Sequence, residues 1–385
     1  MARSRFPFGW ATPTLWLIWV TGCVPAAVLD AVQNAVPDPA PFVIVGMEDT
    51  GLMYAKRQTL QEGEDFRSPT APFLPTAVYL LDLTTLDAEL VAPNIPGYAW
   101  EVVGNRRWVA WEDRAQRAII VRNIGTGVET AAVQPTEDQL AIQPLALLSD
   151  DRLLVLRVRG ESWALGDREY EYVVRDMQSS AEQVITDVAE YGSFAVAGDF
   201  IAFMNDSSTA VEPIGLEWTH NIDLVDLRTS ERRTIAPDIR SSSDAGLSMV
   251  DGRVIWQEYK RGGFESRIVG YDIAAGQGTV LADNLGSIDD DPALGLLESG
   301  ADSMLFASTT GSAWLGETVT LELRVPGNGT TPVAQFASSL GQPFRFEWSA
   351  HLAHGFVVWT DPFTGVFLVY DLDDGRTQRF DPTLR

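Results

Sequence analysis

The sequence predicts an all-β fold, a seven-bladed β-propeller with four antiparallel strands per blade, and three observations carry that prediction. A short apolar strand closing on a bulky residue recurs at Tyr54, Trp111, Leu156, Phe203, Trp256, Phe306 and Trp359, with spacings of 57, 45, 47, 53, 50 and 53 residues. A period near 50 marks a solenoid or propeller, in which stacked repeats share one core. A later strand of each repeat closes at Asp82, Asn123, Asp176, Asp226, Asp272, Arg324 or Asp371, so the same number of repeats is reached a second time without reference to the first. Asp-Gly and other Gly-containing turns, flanked by β-branched and aromatic runs, supply the hairpin signal.

Residues 1–22 read as a secretory signal: Arg3 and Arg5 form a positive start and residues 15–20 a short apolar core. Val20, Thr21, Gly22 and Cys23 follow, a pattern similar to the bacterial lipobox, in which the Cys thiol is lipidated and the Cys becomes the first residue. Cys23 is the sole cysteine, so it has no internal disulfide partner, and lipidation gives an exported chain a reason to keep it. The alternative is an ordinary signal peptide cut near Ala26 or Ala27. A spanning helix is disfavoured because Asp30 interrupts the apolar stretch short of the roughly 20 residues it needs. Val24 is not the Asp that retains some lipoproteins in the inner membrane, which favours an outer-membrane address in the cell envelope.

From Cys23 to residue 41 the chain is Ala-, Val- and Pro-rich, the composition of an extended tether. Residues 42–385 then form the propeller, about 49 residues per repeat, and leave no room for a second sizeable domain. The fourth repeat places strands at 191–197, 200–204, 221–227 and 232–235, turning at Gly198 and Asp199. The fifth turns at Asp251 and Gly252 and places strands at 253–256, 267–273 and 278–281. The seventh places them at 355–359, 366–372 and 377–380, turning at Asp374 and Gly375. Residues 42–45 form the first repeat's own opening strand and 377–380 the last repeat's own closing strand. No strand is therefore expected to be shared at closure; a swapped strand is the alternative. Hydrophobic residues make up 45% of the chain, ample for a core, and 12 Trp with 17 Phe pack blade on blade.

The segments Gly-Arg-Val-Ile-Trp at 252–256 with Tyr-Asp-Ile-Ala-Ala-Gly at 271–276, and Gly-Phe-Val-Val-Trp at 355–359 with Tyr-Asp-Leu-Asp-Asp-Gly at 370–375, resemble the repeat of TolB-like and related WD-repeat-like β-propellers. The resemblance covers most of residues 42–385. It implies the fold and not the role, since such propellers serve as adaptors, receptors, peptidase gates and polysaccharide lyases. The Ser-Pro-Asp-Gly usual at the first turn is degraded here, and the α/β domain that precedes the propeller in TolB is not expected.

The net charge is −25, and loss of Arg3 and Arg5 with the signal takes it to −27. Such a surface repels phosphate backbones, so nucleic acid is excluded as a partner. The acids are scattered through all repeats, as solubility requires, apart from the run Asp289, Asp290 and Asp291. Loop lengths are less even. The turns between first and second strands are tight, whereas the connections at 57–77, 159–169, 205–221 and 309–317 are long. Insertions on one end of a rigid repeat scaffold mark a binding face, here carrying Phe66, Phe73, Trp163, Trp218 and Trp314 together with the inter-blade run Asp289, Asp290 and Asp291. Exposed Trp suits sugar faces and peptide side chains, and burial under its own loop is the equal alternative for each.

No catalytic residue, metal site or cofactor is expected. Some TolB-like propellers resemble metal-dependent oligosaccharide lyases that gather His on the axis, but His220, His351 and His354 fall on different repeats or opposite ends of a strand. Residues 371–375 lack the alternate spacing and distant Glu of a calcium loop and read as a hairpin turn. No Gly-x-Ser-x-Gly elbow is present. The expected function is a lipid-anchored envelope scaffold binding a protein or glycan partner; the alternative is a glycan-active enzyme with its site in the axial cleft.

Overall fold

The computed structural model describes residues 42–48, 50–56, 75–96, 102–113, 115–136, 139–148, 151–160, 168–185, 193–206, 218–241, 247–250, 252–259, 266–283, 293–299, 303–312, 316–325, 329–337, 350–353, 355–361 and 365–382. They form consecutive antiparallel strands that pair in fours, in chain order. The first group holds β1 (Phe42–Glu48), β2 (Gly51–Lys56), β3 (Pro75–Asp82) and β4 (Ala88–Pro96), and the second β5 (Val102–Gly104), β6 (Trp108–Asp113), β7 (Ala118–Asn123) and β8 (Glu129–Val133). The third holds β9 (Gln139–Leu147), β10 (Arg152–Gly160), β11 (Arg168–Asp176) and β12 (Glu182–Ile185), and the fourth β13 (Phe194–Ala197), β14 (Phe200–Asp206), β15 (Trp218–Asp226) and β16 (Glu231–Ser241). The fifth holds β17 (Leu247–Val250), β18 (Arg253–Tyr259), β19 (Ser266–Asp272) and β20 (Gln277–Ala282), and the sixth β21 (Ala293–Ser299), β22 (Met304–Ser312), β23 (Gly316–Val325) and β24 (Gly329–Ala337). The seventh holds β25 (Ala350–Ala353), β26 (Phe356–Thr360), β27 (Phe367–Asp371) and β28 (Thr377–Phe380). The fourth and fifth groups run into one sheet through the pairing of Arg240 with Tyr259.

Each second strand is covered on both faces, which is why β2, β10 and β26 read as unbroken apolar runs and do not alternate. Outer strands such as β8 and β28 expose most of their residues and are correspondingly polar there. The Asp at the end of the third strand has the role its recurrence predicts. Asp82 Oδ1 accepts from the Thr84 and Thr85 amides, Asp176 Oδ1 from Gln178 and Ser179, Asp226 Oδ1 from Arg228, Asp272 Oδ1 from Ala275 and Asp371 Oδ1 from Asp373. Asn123 does the same for Thr126. At the sixth group the position is Arg324, whose guanidinium lies 4.8 Å over the Phe306 ring and 3.3 Å from Glu322.

Among the described residues seven apolar clusters fill the space between the groups; six join groups consecutive in the chain and one joins the first to the last. Trp111, Phe203, Trp256, Phe306 and Trp359 all pack toward the preceding group. Leu156 does not. It faces the fourth group, and Val155 is the residue that packs back on the second. Side chains alternate along a strand, so a one-residue offset in reading β10 moves a residue to the opposite face.

Tyr54 closes the set by packing between the first and last groups. Phe42, Ile44, Leu52 and Tyr54 meet Phe356, Val358, Phe367, Val369 and Phe380 in one cluster. Tyr54 is 0% exposed, its ring centroid 5.0 Å from that of Phe367 and 6.0 Å from that of Phe380, both edge-on. β1 pairs with β2, and β28 with β27, so among the described residues no strand is exchanged, as the sequence predicts. Phe367→Ala should cost about 3–5 kcal/mol, by lost burial and the cavity left behind. Denaturant unfolding measures it; a loss below about 1 kcal/mol would show that the two ends of the chain do not depend on this contact.

Candidate functional site

The strands present two chemically different ends. At one lie the turns from first to second and third to fourth strands; at the other lie the connections from second to third strands. The short-turn end is stitched from group to group. Arg106 donates its amide to Glu48 Oε2 at 3.2 Å and Nη2 to Thr50 Oγ1 at 2.6 Å. Arg152 Nη2 donates to Asp199 Oδ1 at 2.6 Å, with Arg228 Nε 3.4 Å from the other oxygen, and Arg233 Nη2 reaches the Ile273 carbonyl at 3.2 Å.

Asp151 is the most engaged of these acids and is 4% exposed. Its carboxylate accepts from Arg107 Nη1 at 2.6 Å, Trp108 Nε1 at 2.7 Å and Gln178 Nε2 at 2.8 Å. Burial opposes its ionisation, but these donors and the Arg107 charge outweigh burial and hold its pKa below the ordinary value. Its backbone is left-handed, with φ of 63°, where the corresponding turns of later groups use Gly252 and Gly355. Asp tolerates that region better than most side chains, so one residue serves both the turn and the bridge.

A cavity of about 310 Å³ opens at this end between the first strands of four groups, lined by β1, β5, β9 and β13 around residues 45–48, 103–105, 145–148 and 196–198. Its wall is backbone and aliphatic side chain, with Glu48 the one charged residue lining it. Gly46 is required there: a Cβ on it would sit 1.9 Å from the Gly104 carbonyl oxygen.

Further acids are held by several donors each: Asp223 midway along β15, Glu182 where β12 leaves the short-turn end, and Glu258 near the opposite end of β18. Asp223, 5% exposed, accepts from Thr234 Oγ1 and Arg232 Nη2 at 2.6 Å and from Asn205. Burial raises its pKa, yet Thr234, Arg232 and Asn205 together carry it below the ordinary range. Glu182 is likewise depressed, burial being outweighed by Arg157 and Arg175, each at 2.7 Å. Glu258, 7% exposed, accepts Trp256 Nε1 at 2.7 Å and takes Arg267 side-on at 2.6 and 2.8 Å. Sequence reading missed these acids. For Glu258 a signal existed, a Trp two residues before an acid, which recurs at Trp111 and Asp113, Trp256 and Glu258, and Trp359 and Asp361. In the second group the acid is one methylene shorter and accepts from Gln116, at 2.6 Å to the side-chain amide, instead of from the indole. With two or three donors each, Asp223, Glu182 and Glu258 fix the strands around them.

The sequence-predicted face residues fare unevenly. Cys23, Phe66, Phe73, Trp163, Trp314, Asp289, Asp290 and Asp291 lie outside the described residues, as does His354. Trp218 is not in a loop as expected: it opens β15 and pairs with Ser241. The 309–317 connection is also shorter than read, because Thr309 through Ser312 pair with Gly316 through Val319 and only 313–315 intervene. Polar strand ends carry no apolar signal, so the ladder ran past the point where the sequence pattern stopped. His220 is buried on β15 and His351 lies on β25, separate strands as predicted. Among the described residues no group of three or more His, Cys, Asp or Glu is placed to hold a metal.

No protein-family model matches the sequence, and no curated protein matches it. Solved structures do. The propeller domain of the Trilobed protease from Pyrococcus furiosus, described as having an open velcro topology, superposes with a TM-score of 0.57 at 10% identity, covering 89% of this chain and 96% of that one. The chain folds as a β-propeller. An oligogalacturonate lyase in complex with manganese matches at TM-score 0.54 and 12% identity, over 86% of this chain and 89% of that one. Pyrococcus horikoshii acylaminoacyl peptidase matches at 0.55 and 12%, over 86% of this chain but 51% of its own, so this propeller spans about half of that enzyme. TolB from Acinetobacter baumannii aligns at TM-score 0.43 and 13% identity, too loosely to bear on the finer TolB-like resemblance. At these identities the likenesses establish fold alone.

Asp151→Asn keeps the propeller's left-handed turn and removes the charge, and should cost about 1–2 kcal/mol at neutral pH. A depressed pKa stabilises the fold above the unfolded value of 3.8 and loses that contribution as pH falls through the folded value. The difference in Tm between wild type and variant should therefore be constant above about pH 5 and shrink below 3.8. A difference independent of pH down to full protonation would refute the carboxylate's role.

Proposed function

We propose that this chain is a seven-bladed propeller lipoprotein of the bacterial cell envelope, lipidated at Cys23, that binds a protein or glycan partner on its long-connection end and catalyses no reaction itself. The observation that carries the binding reading is the division of labour between the two ends. The short-turn end is tied blade to blade by Arg106, Arg107, Arg152 and Arg233, while at the other end Glu258 holds Arg267 where β18 leaves for its connection to β19. A rigid scaffold with its variable loops at one end is a common arrangement for recognition. Seven four-stranded groups with seven packed interfaces support the blade count. Metabolic labelling with a radioactive palmitate precursor tests the anchor, and an unlabelled mature protein overturns it.

The alternative is a glycan-active enzyme with its site in the axial cleft. The likeness to oligogalacturonate lyase favours it only at the level of fold. Crosslinking pull-down from the native envelope should recover a stable partner, and a Trp163→Ala, Trp218→Ala, Trp314→Ala triple variant should weaken that capture at least tenfold. Undiminished capture would show that the face is wrongly assigned. New reducing ends or unsaturated products from acidic or neutral polysaccharides, with or without divalent metal, would replace the scaffold reading by the enzyme.

A further inference from the structure

The outermost strand of each group exposes one edge of unpaired backbone, an invitation to pairing that proteins blunt with charge, proline or cover. This chain does so at six of its seven outer strands. β4 carries Glu89, Pro93 and Pro96; β8 carries Glu129; β12 carries Glu182; β24 carries Pro332; β28 carries Arg379. β16 is dense with charge and is also engaged by β18. β20 is the exception. Its sequence, Gln-Gly-Thr-Val-Leu-Ala, has no charge and no proline; among the described residues it pairs with β19 alone, regularly over Gln277–Val280 and with a bulge at Leu281. Its first four residues are exposed, with Val280 50% exposed, while Leu281 turns inward against the fifth and sixth groups.

We propose that the free edge of β20 is a strand-addition site for an extended segment of a partner protein, one that alternates apolar residues and is flanked by Lys or Arg. Main-chain hydrogen bonds to β20 supply the affinity, and an apolar side chain laid beside Val280 on the same face supplies the selectivity. Cationic flanks follow from the net charge of −25, which draws positive segments and repels negative ones. A second copy of this chain is the poorer occupant. Two such copies repel, and an edge of 6 residues buries far less than the roughly 1,200–2,000 Å² of a stable interface. The site lies on the rim, apart from the long-connection end, and does not depend on the function proposed above.

The test uses the full chain and a synthetic peptide of alternating Thr and Val flanked by paired Lys. Hydrogen exchange should slow at residues 277–282 when the peptide is added, and Val280→Lys should weaken binding at least tenfold while leaving Tm unchanged. Val184→Lys, at the exposed valine of β12, should bind as wild type does, and replacing the flanking Lys by Glu should weaken the peptide. Absence of binding, protection elsewhere, or an unaffected Val280→Lys variant overturns the site. Equal binding of the Glu-flanked peptide overturns the charge argument. Sedimentation showing a dimer that Val280→Lys dissolves assigns the edge to a second copy and overturns the partner.

Discussion

The contact between Tyr54 on β2 and the aromatic pair Phe367 and Phe380 on the last group holds the two ends of the chain together. Every other interface joins groups that are neighbours in sequence, so chain connectivity already brings them close. This one joins residues more than 300 positions apart with no shared strand to help it. Among the described residues it is side-chain packing that offsets the loop-closure entropy, which grows slowly with length but is collected before any contact returns it. That explains the concentration of rings there: Tyr54 and Phe367 are fully buried, and Tyr54 stacks on the half-buried Tyr79 at 5.2 Å and meets Phe42 edge-on at 5.7 Å.

Once the groups are set side by side, the two ends of the strands face different demands. Tight turns leave backbone amides and carboxylates close to the neighbouring group, and Arg side chains are long enough to cross the gap. Asp151 bridges in this way because Arg107, Trp108 and Gln178 converge on it. Midway along β15 and toward the opposite end of β18, polar side chains need partners once buried. Asp223 and Glu258 obtain theirs from the same strand or the adjacent one. Asp151 and Asp223, whose donors hold their pKa values below the ordinary one, stabilise their surroundings only while ionised.

Much of the architecture was legible in the sequence, because each repeat announces itself by an unbroken apolar run and an Asp at a strand exit. Those signals have local physical causes: coverage on both faces, and amide groups of a turn that need an acceptor. Trp218 and the 309–317 connection were misread for the complementary reason. Ladder hydrogen bonds between Trp218 and Ser241, or Thr310 and Thr318, involve the backbone, which the side-chain pattern does not report. Leu156 lies on a second strand as read, but it faces the following group where the bulky residues of most other repeats face the preceding one, since a β-strand's alternation is sensitive to a single position.

The sequence by itself determined an all-β repeat, the strand order within each group and the Asx turns at Asp82, Asp176, Asp226, Asp272 and Asp371, all consequences of residues close together in the chain. The tertiary structure decided which side chains meet across groups: Arg107 with Asp151, Arg152 with Asp199, and Tyr54 with Phe367. It also decided which outer edge stays open, because an edge is defined by the strand that fails to pair with it. Such partners lie tens to hundreds of residues apart, and a linear pattern carries no measure of that distance in space.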